Sequence, residues 1–222
     1  MDFPILYKNA SLVVCVKPAG VDSETGMPAL LKAQTGARAA LCVHRLDRDV
    51  GGVMVYALDR RTAAALSRAL AAGDFEKEYL AVVHGTMEED AAELRDLLFH
   101  DRAKNKSFVV RRPRAGVKEA VLDYRALQSA GGCSLLAVRL HTGRSHQIRV
   151  QLASRRHPLL GDAKYGSPRR DCGIALFSHL LGFHHPETGE ALRFTAPPPV
   201  GYPWDLFDTI YHFGGLTCDT LK

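Results

Sequence analysis

Apolar residues fall in short runs separated by turn-forming residues, and these runs set the expected elements. Ser11 to Lys17 (SLVVCVK) is β-branched and closed by Pro18-Ala19-Gly20, which predicts a buried strand entering a turn. Val53 to Leu58 (VMVYAL) predicts a second strand. Asp59 is placed to cap a helix over Arg60 to Ala72, and Gly73 to end it. Further strands are predicted over Lys77 to His84, Ser107 to Arg111, Ala120 to Leu127 and Leu135 to Leu140. Thr142-Gly143 then introduces a helix from about Arg144 to Ser154. A strand near Ala175 to Phe183 and a short helix from Pro203-Trp204-Asp205 complete the pattern. Strands in runs, with helices unevenly inserted, predict an α+β protein with a central, mostly antiparallel or mixed sheet and flanking helices. No repeat, low-complexity tract or linker interrupts the chain, so residues 1–222 read as a single domain.

Composition changes this picture in two respects. Lys plus Arg outnumber Asp plus Glu by 29 to 24, a net charge of +5 that suits a polyanionic partner. The polar segment Met87 to Gly116 concentrates that charge: Arg102, Lys104, Lys106, Arg111, Arg112 and Arg114 surround Phe108, as expected of an RNA-facing loop or hairpin. The cysteines Cys15, Cys42, Cys133, Cys172 and Cys218 are odd in number and form no C-x-x-C pair, which argues against a disulfide framework or a structural zinc site. The N-terminus lacks a basic region followed by an apolar one, and no window reaches the roughly 18 apolar residues of a membrane span. A cytoplasmic monomer away from the membrane is the expectation.

Two polar runs carry candidate chemistry. In His44-Arg45-Leu46-Asp47-Arg48-Asp49-Val50-Gly51-Gly52, Asp47 lies between two arginines, which favours an ionised carboxylate able to act as nucleophile or base. The same run is compatible with a salt-bridged turn. In Gly143-Arg144-Ser145-His146-Gln147-Ile148-Arg149, helical spacing puts Arg149 at the edge of an apolar stripe, where a half-buried guanidinium needs a carboxylate or phosphate partner. The N-terminal amides of that helix are candidates to hold an anion. Tyr79, on the predicted Lys77 strand, suits either core packing or stacking on a base. His179, His184 and His185 lack an accompanying acidic cluster, so no metal site is expected.

With these runs in view, the sequence resembles the RluA-type family of RNA pseudouridine synthases. The resemblance rests on Lys17-Pro18-Ala19-Gly20, the hallmark His44-Arg45-Leu46-Asp47 followed by a turn and an apolar strand, Lys77-x-Tyr79, Gly143 to Arg149, and Gly161-Asp162-x-x-Tyr165-Gly166, in that order. It implies a pseudouridine synthase fold and isomerisation of specific uridines in ribosomal RNA or tRNA without a cofactor. Asp47 is then the essential aspartate, Tyr79 packs on the target base, and Arg149 pairs with Asp47. Arg45, His44, Arg144, His146, Gln147 and Ile148 become candidate RNA contacts, joined by Lys104, Lys106, Arg111 and Arg112 of the basic segment. The chain departs from the family pattern at Val50-Gly51-Gly52, where Thr-Ser or Thr-Ala before Gly is usual, at Gln151, and at Leu176-Phe177-Ser178. It reads as the catalytic domain alone, without the family's small N-terminal RNA-binding domain.

Two other functions are compatible with parts of the sequence. A metal-dependent glycosyltransferase would use Asp47-Arg48-Asp49 as an Asp-x-Asp metal site, and a chelator would abolish its activity. A non-catalytic RNA-binding protein would use the basic segment alone, and would be indifferent to the loss of the Asp47 carboxylate.

Overall fold

A computed structural model describes residues 2–208 and 210, and divides the chain into two compact units. Each unit is assembled from separated stretches of chain. The first comprises the residues up to Lys77 together with Phe177–Ala196, the second Glu78–Leu176 with the described residues from Pro197 on.

In the first unit, β1 (Ile5–Lys8) pairs antiparallel with β2 (Leu12–Lys17), and β2 pairs antiparallel with β4 (Gly51–Ala57) from Leu12↔Ala57 to Lys17↔Gly52. Two helices, α1 (Gly26–Thr35) and α2 (Arg60–Ala72), and the two-residue β3 (Leu41–Cys42) complete the N-terminal stretch. β4 is buried along its whole length, as its unbroken apolar run requires. The later strand β10 (Leu176–His184) runs parallel to β4, and β11 (Ala191–Thr195) pairs antiparallel with β10. Helix α2 keeps its predicted bounds. The Asp59 carboxylate accepts the Thr62 amide, and Gly73 ends the helix in the left-handed region at φ 87°.

The second unit is built on an antiparallel sheet. β5 (Glu76–His84) pairs with β9 (Cys133–Leu140), β9 with β8 (Val117–Ala130), β8 with β6 (Ala91–Asp101), and β6 with β7 (Lys106–Val110). β6 and β7 form the hairpin allowed for in the basic segment, its turn at Arg102 to Asn105. Helix α3 (Gln147–Ser154) lies against β6, β7 and a 3-10 turn at Ala163–Tyr165. It starts later than predicted, because His146 before it adopts φ 54° and breaks the helical path. The stretch from Pro203 is a 3-10 turn, Trp204–Leu206.

The α+β expectation and the mixed sheet both hold, with three α-helices among the described residues. Cys15, Cys42, Cys133 and Cys172 are free thiols, while Cys218 lies outside the described residues. No helix among the described residues is long and apolar enough to cross a membrane.

Candidate active site

Asp47 sits half-buried on the loop between β3 and β4, and main-chain contacts on both sides hold that loop. The Ser23 hydroxyl donates to the Leu46 carbonyl at 2.9 Å and accepts the Leu46 amide at 3.2 Å. The Val50 amide closes a turn onto the Asp47 carbonyl at 3.0 Å. Beyond it, the Arg48 carbonyl receives the Gly20 amide at 2.8 Å and the Lys17 ammonium at 3.0 Å.

Lys17 is fully buried and also donates to the carbonyls of Pro18 (2.9 Å) and Val21 (2.8 Å), so one cation ties three carbonyls and joins the turn after β2 to the Asp47 loop. Burial pushes its ammonium down to about 8, opposed by the carboxylates of Asp49, Asp22 and Asp47. Sequence reading quoted Lys17 as a landmark and gave it no task.

The neighbours of Asp47 divide by exposure. Arg45 is exposed and pairs at 3.1 Å with the equally exposed Glu24, a contact worth at most about 1 kcal/mol. Such a pair opens readily to a phosphate. His44 points the other way: it is buried, packs edge-on against Phe75, and its Nε2 accepts the Val55 amide at 3.2 Å. Burial, with the positive charge of Lys77 adding to it, pushes the His44 imidazole down to about 4. The imidazole is engaged within the protein, where it holds β4.

A pH dependence of stability follows. The unfolded imidazole protonates near 6.5 and the folded one only near 4, so the unfolded state binds more protons in that window. Stability is therefore lost as pH falls through it, by about 3 kcal/mol in full. In urea unfolding at pH 7, 5.5 and 4.5, His44→Gln should lose less stability on acidification than the unchanged protein. Parallel losses would remove His44 as the cause.

The second unit holds the other candidates. Tyr79 is buried on β5 opposite Val138. Arg149 is buried on α3, where its Nε and Nη2 donate to the two carboxylate oxygens of Asp162 at 2.7 and 2.9 Å. Asp162 is itself only 1% exposed. The guanidinium carbon lies 5.1 Å from the centre of the Tyr165 ring, and Lys106 Nζ lies 5.2 Å from the same ring. The Tyr165 hydroxyl accepts the Ser107 amide at 2.7 Å and meets His146 Nδ1 at 2.9 Å. Burial raises the Tyr165 hydroxyl above its ordinary range, so it stays protonated. Arg149, His146 and Lys106 are thus gathered around one ring.

Gln147 and Ile148 are buried, and the Gln147 amide group bonds to the Val121 carbonyl, the Thr142 hydroxyl and the Arg144 amide. These side chains brace the start of α3. Arg144 Nε is held by the Glu119 carbonyl at 2.8 Å. The amide of Gln147, expected to face an anion, donates to the Arg144 carbonyl. Lys104, Arg111 and Arg112 are exposed along the β6–β7 hairpin, beside Phe108 and Val109, which are 37% and 36% exposed. Asp162, Tyr165 and Ser107 were missed as site residues, although Asp162 and Tyr165 belong to a quoted motif.

Comparison with known proteins bears on this arrangement. Residues 11–154 match the family model described as RNA pseudouridylate synthase. The chain is 32% identical over 216 residues to the uncharacterized RNA pseudouridine synthase YlyB of Bacillus subtilis, covering 90% of this chain and 70% of that protein. It is 36% identical over 222 residues to the ribosomal large subunit pseudouridine synthase D of Vibrio cholerae, covering 88% of this chain and 67% of that one. Its fold is similar to that of human RNA pseudouridylate synthase domain containing 1, with a TM-score of 0.78, 22% identity, and coverage of 89% of this chain and 84% of that one. Neither rival function finds support here. Among the described residues, no group of three or more His, Cys, Asp or Glu side chains is arranged to hold a metal ion.

Proposed function

The chain belongs to the RNA pseudouridine synthase family, and from that premise we propose that Asp47 is its catalytic carboxylate and a uridine of large-subunit ribosomal RNA its substrate. The enzyme is an isomerase that turns uridine in RNA into pseudouridine. The bond from ribose C1′ to uracil N1 breaks, the base turns, and C1′ bonds to C5, whose proton leaves as N1 gains one. Atoms and electrons balance within the substrate, so a carboxylate and a shaped pocket suffice. Asp47 can attack C1′, add to the base, or take the C5 proton, and each route needs the ionised form.

The observation that carries the reading is the held loop: a half-buried aspartate in the family's hallmark run, its backbone fixed by Ser23, Lys17 and Val50. Arg149 is proposed to pair with Asp47, as the resemblance implies. A guanidinium has five donors, so the fork to Asp162 is compatible with a second carboxylate. Tyr79 is proposed to pack on the target base once it has left its stack, a step costing roughly a few kcal/mol. Arg45, with only a surface pair to give up, is proposed to help open or hold the RNA, together with Arg144 and His146. Ribosomal RNA is preferred over tRNA because relatives carry large-subunit synthase names. A monomer working in the cytoplasm without cofactor completes the proposal.

Pseudouridine mapping of cellular RNA with and without the gene tests it. A large-subunit site should vanish on deletion and return with the wild-type gene but not with Asp47→Asn. A site lost from tRNA alone would move the substrate, and no lost site would remove the reading.

The basic hairpin is the proposed docking element. Changing Lys104, Lys106, Arg111 and Arg112 together to Ala should weaken RNA binding on the order of 100-fold at physiological salt, and flatten the slope of log K against log salt by about 3. Filter binding across a salt series reads both. An unchanged slope would show that these side chains do not meet phosphates.

A further inference from the structure

The fork between Arg149 and Asp162 is more than helix packing demands. Burying two opposite charges is expensive, and a well-packed apolar pair would anchor α3 at least as well. What the fork supplies is orientation. Two parallel N–H···O bonds, at 2.7 and 2.9 Å, fix the plane of the guanidinium as well as its place, and so fix the direction of its remaining edge.

The mount is itself immobilised. Asp162 follows Gly161, which sits at φ 74° where an added Cβ would come 2.1 Å from the Gly173 carbonyl oxygen, so the chain passes in one way only. The Asp162 amide donates to Leu159, and its carbonyl accepts the amides of Tyr165 and Ser167. Tyr165 brings its ring against the guanidinium at 5.1 Å, and its hydroxyl is tied to Ser107 and His146. A flexible arginine is thereby held along one edge by a carboxylate and across one face by an aromatic ring, each with its own supports.

We propose that Asp162 and Tyr165 are positioning residues that hold the Arg149 guanidinium in its working orientation for pseudouridine formation. This rests on the reading that Arg149 serves the reaction. Their action is on the chemical step, through Arg149, and leaves RNA affinity alone.

The test is single-turnover conversion of an in vitro transcript of large-subunit ribosomal RNA with enzyme in excess, alongside the Kd for the same transcript. Asp162→Asn, which keeps the shape and loses the charge, should slow conversion by about 100-fold with Kd within about threefold. Paired with Arg149→Lys, the double variant should be no slower than Arg149→Lys alone, because a residue acting through another adds nothing once that other is disabled. Multiplied losses, or a full rate for Asp162→Asn beside a slow Arg149→Lys, overturn the inference and leave the reading of Arg149 standing. A full rate for Arg149→Lys removes both. If Asp162→Asn does not fold, Tyr165 decides the matter: Tyr165→Leu should be about tenfold slower than Tyr165→Phe, which keeps the ring. Equal rates for the two overturn the mount.

Discussion

Asp47→Asn is expected to abolish pseudouridine formation, by on the order of 10⁴-fold or more, while leaving the protein folded and able to bind RNA. The amide is isosteric with the carboxylate but neither attacks carbon nor takes a proton at neutral pH, so every route open to Asp47 is closed at once. The loop's backbone has holds besides the carboxylate. The Leu46, Asp47 and Arg48 backbone groups are held by Ser23, the Val50 amide, the Gly20 amide and the Lys17 ammonium, none of which the substitution removes. Loss of one negative charge facing a polyanion should, if anything, tighten binding slightly. Release of tritium from RNA labelled at uracil C5 reads the chemistry, and filter binding reads affinity. Conversion retained at more than about 1% would discard Asp47 as the catalytic carboxylate. Asp49→Asn, exposed and beyond the turn, should cost far less, and a reversed order would exchange the two acids.

How far the sequence speaks depends on how local each signal is. Helix α2 was legible to the residue because its cap, its apolar spacing and its terminal glycine all lie within fifteen positions. β2, β4 and β5 were legible as continuous apolar runs. Helix α1 was missed: Pro28 stands in its first turn and Thr25 makes no side-chain cap, while the turn before it is closed by Asp22. β1, β6 and β11 were missed because half-exposed strands carry mixed polar patterns, and their pairing is set by partners distant in sequence. The late start of α3 comes from a left-handed His146, a conformation in which histidine is enriched but still uncommon, so sequence alone does not announce it.

The same division holds at the site. Asp47, Tyr79 and Arg149 stood out because motif runs surround them. The parts played by Lys17 and Asp162 lie in hydrogen bonds spanning 31 and 13 positions, which no window reveals. The burial of His44 was illegible for a related reason: a polar residue in a polar run finds its partner in the backbone amide of Val55, eleven positions on.

Gly52→Ala is expected to be severely damaging for the addition of a single methyl group. Gly52 pairs with Lys17 on one side of β4 and with Ser178 on the other, at φ 131°, where side chains other than glycine's are strained. An added Cβ would lie 2.4 Å from the Ser178 carbonyl oxygen and 2.5 Å from its nitrogen, and backbone paired in a buried strand cannot swing aside as a side-chain tip can. Strain and clash together should cost about 4 kcal/mol or more, a large share of the roughly 5 to 15 kcal/mol by which proteins are ordinarily stable. Gly51→Ala is the control. Its Cβ would meet the Lys17 carbonyl at 3.1 Å and the Phe177 ring at 3.5 Å, which a shift of a few tenths of an ångström relieves, so about 1 to 2 kcal/mol is expected. Urea midpoints for the two variants settle the order, and a Gly52→Ala protein within about 1 kcal/mol of the unchanged one would refute the close approach. The contrast separates the two glycines of the Val50-Gly51-Gly52 run. Gly52 is required by the passage of β10, whereas Gly51 stands where a small side chain is tolerated at a modest cost. Gly51→Ser is likewise expected to fold.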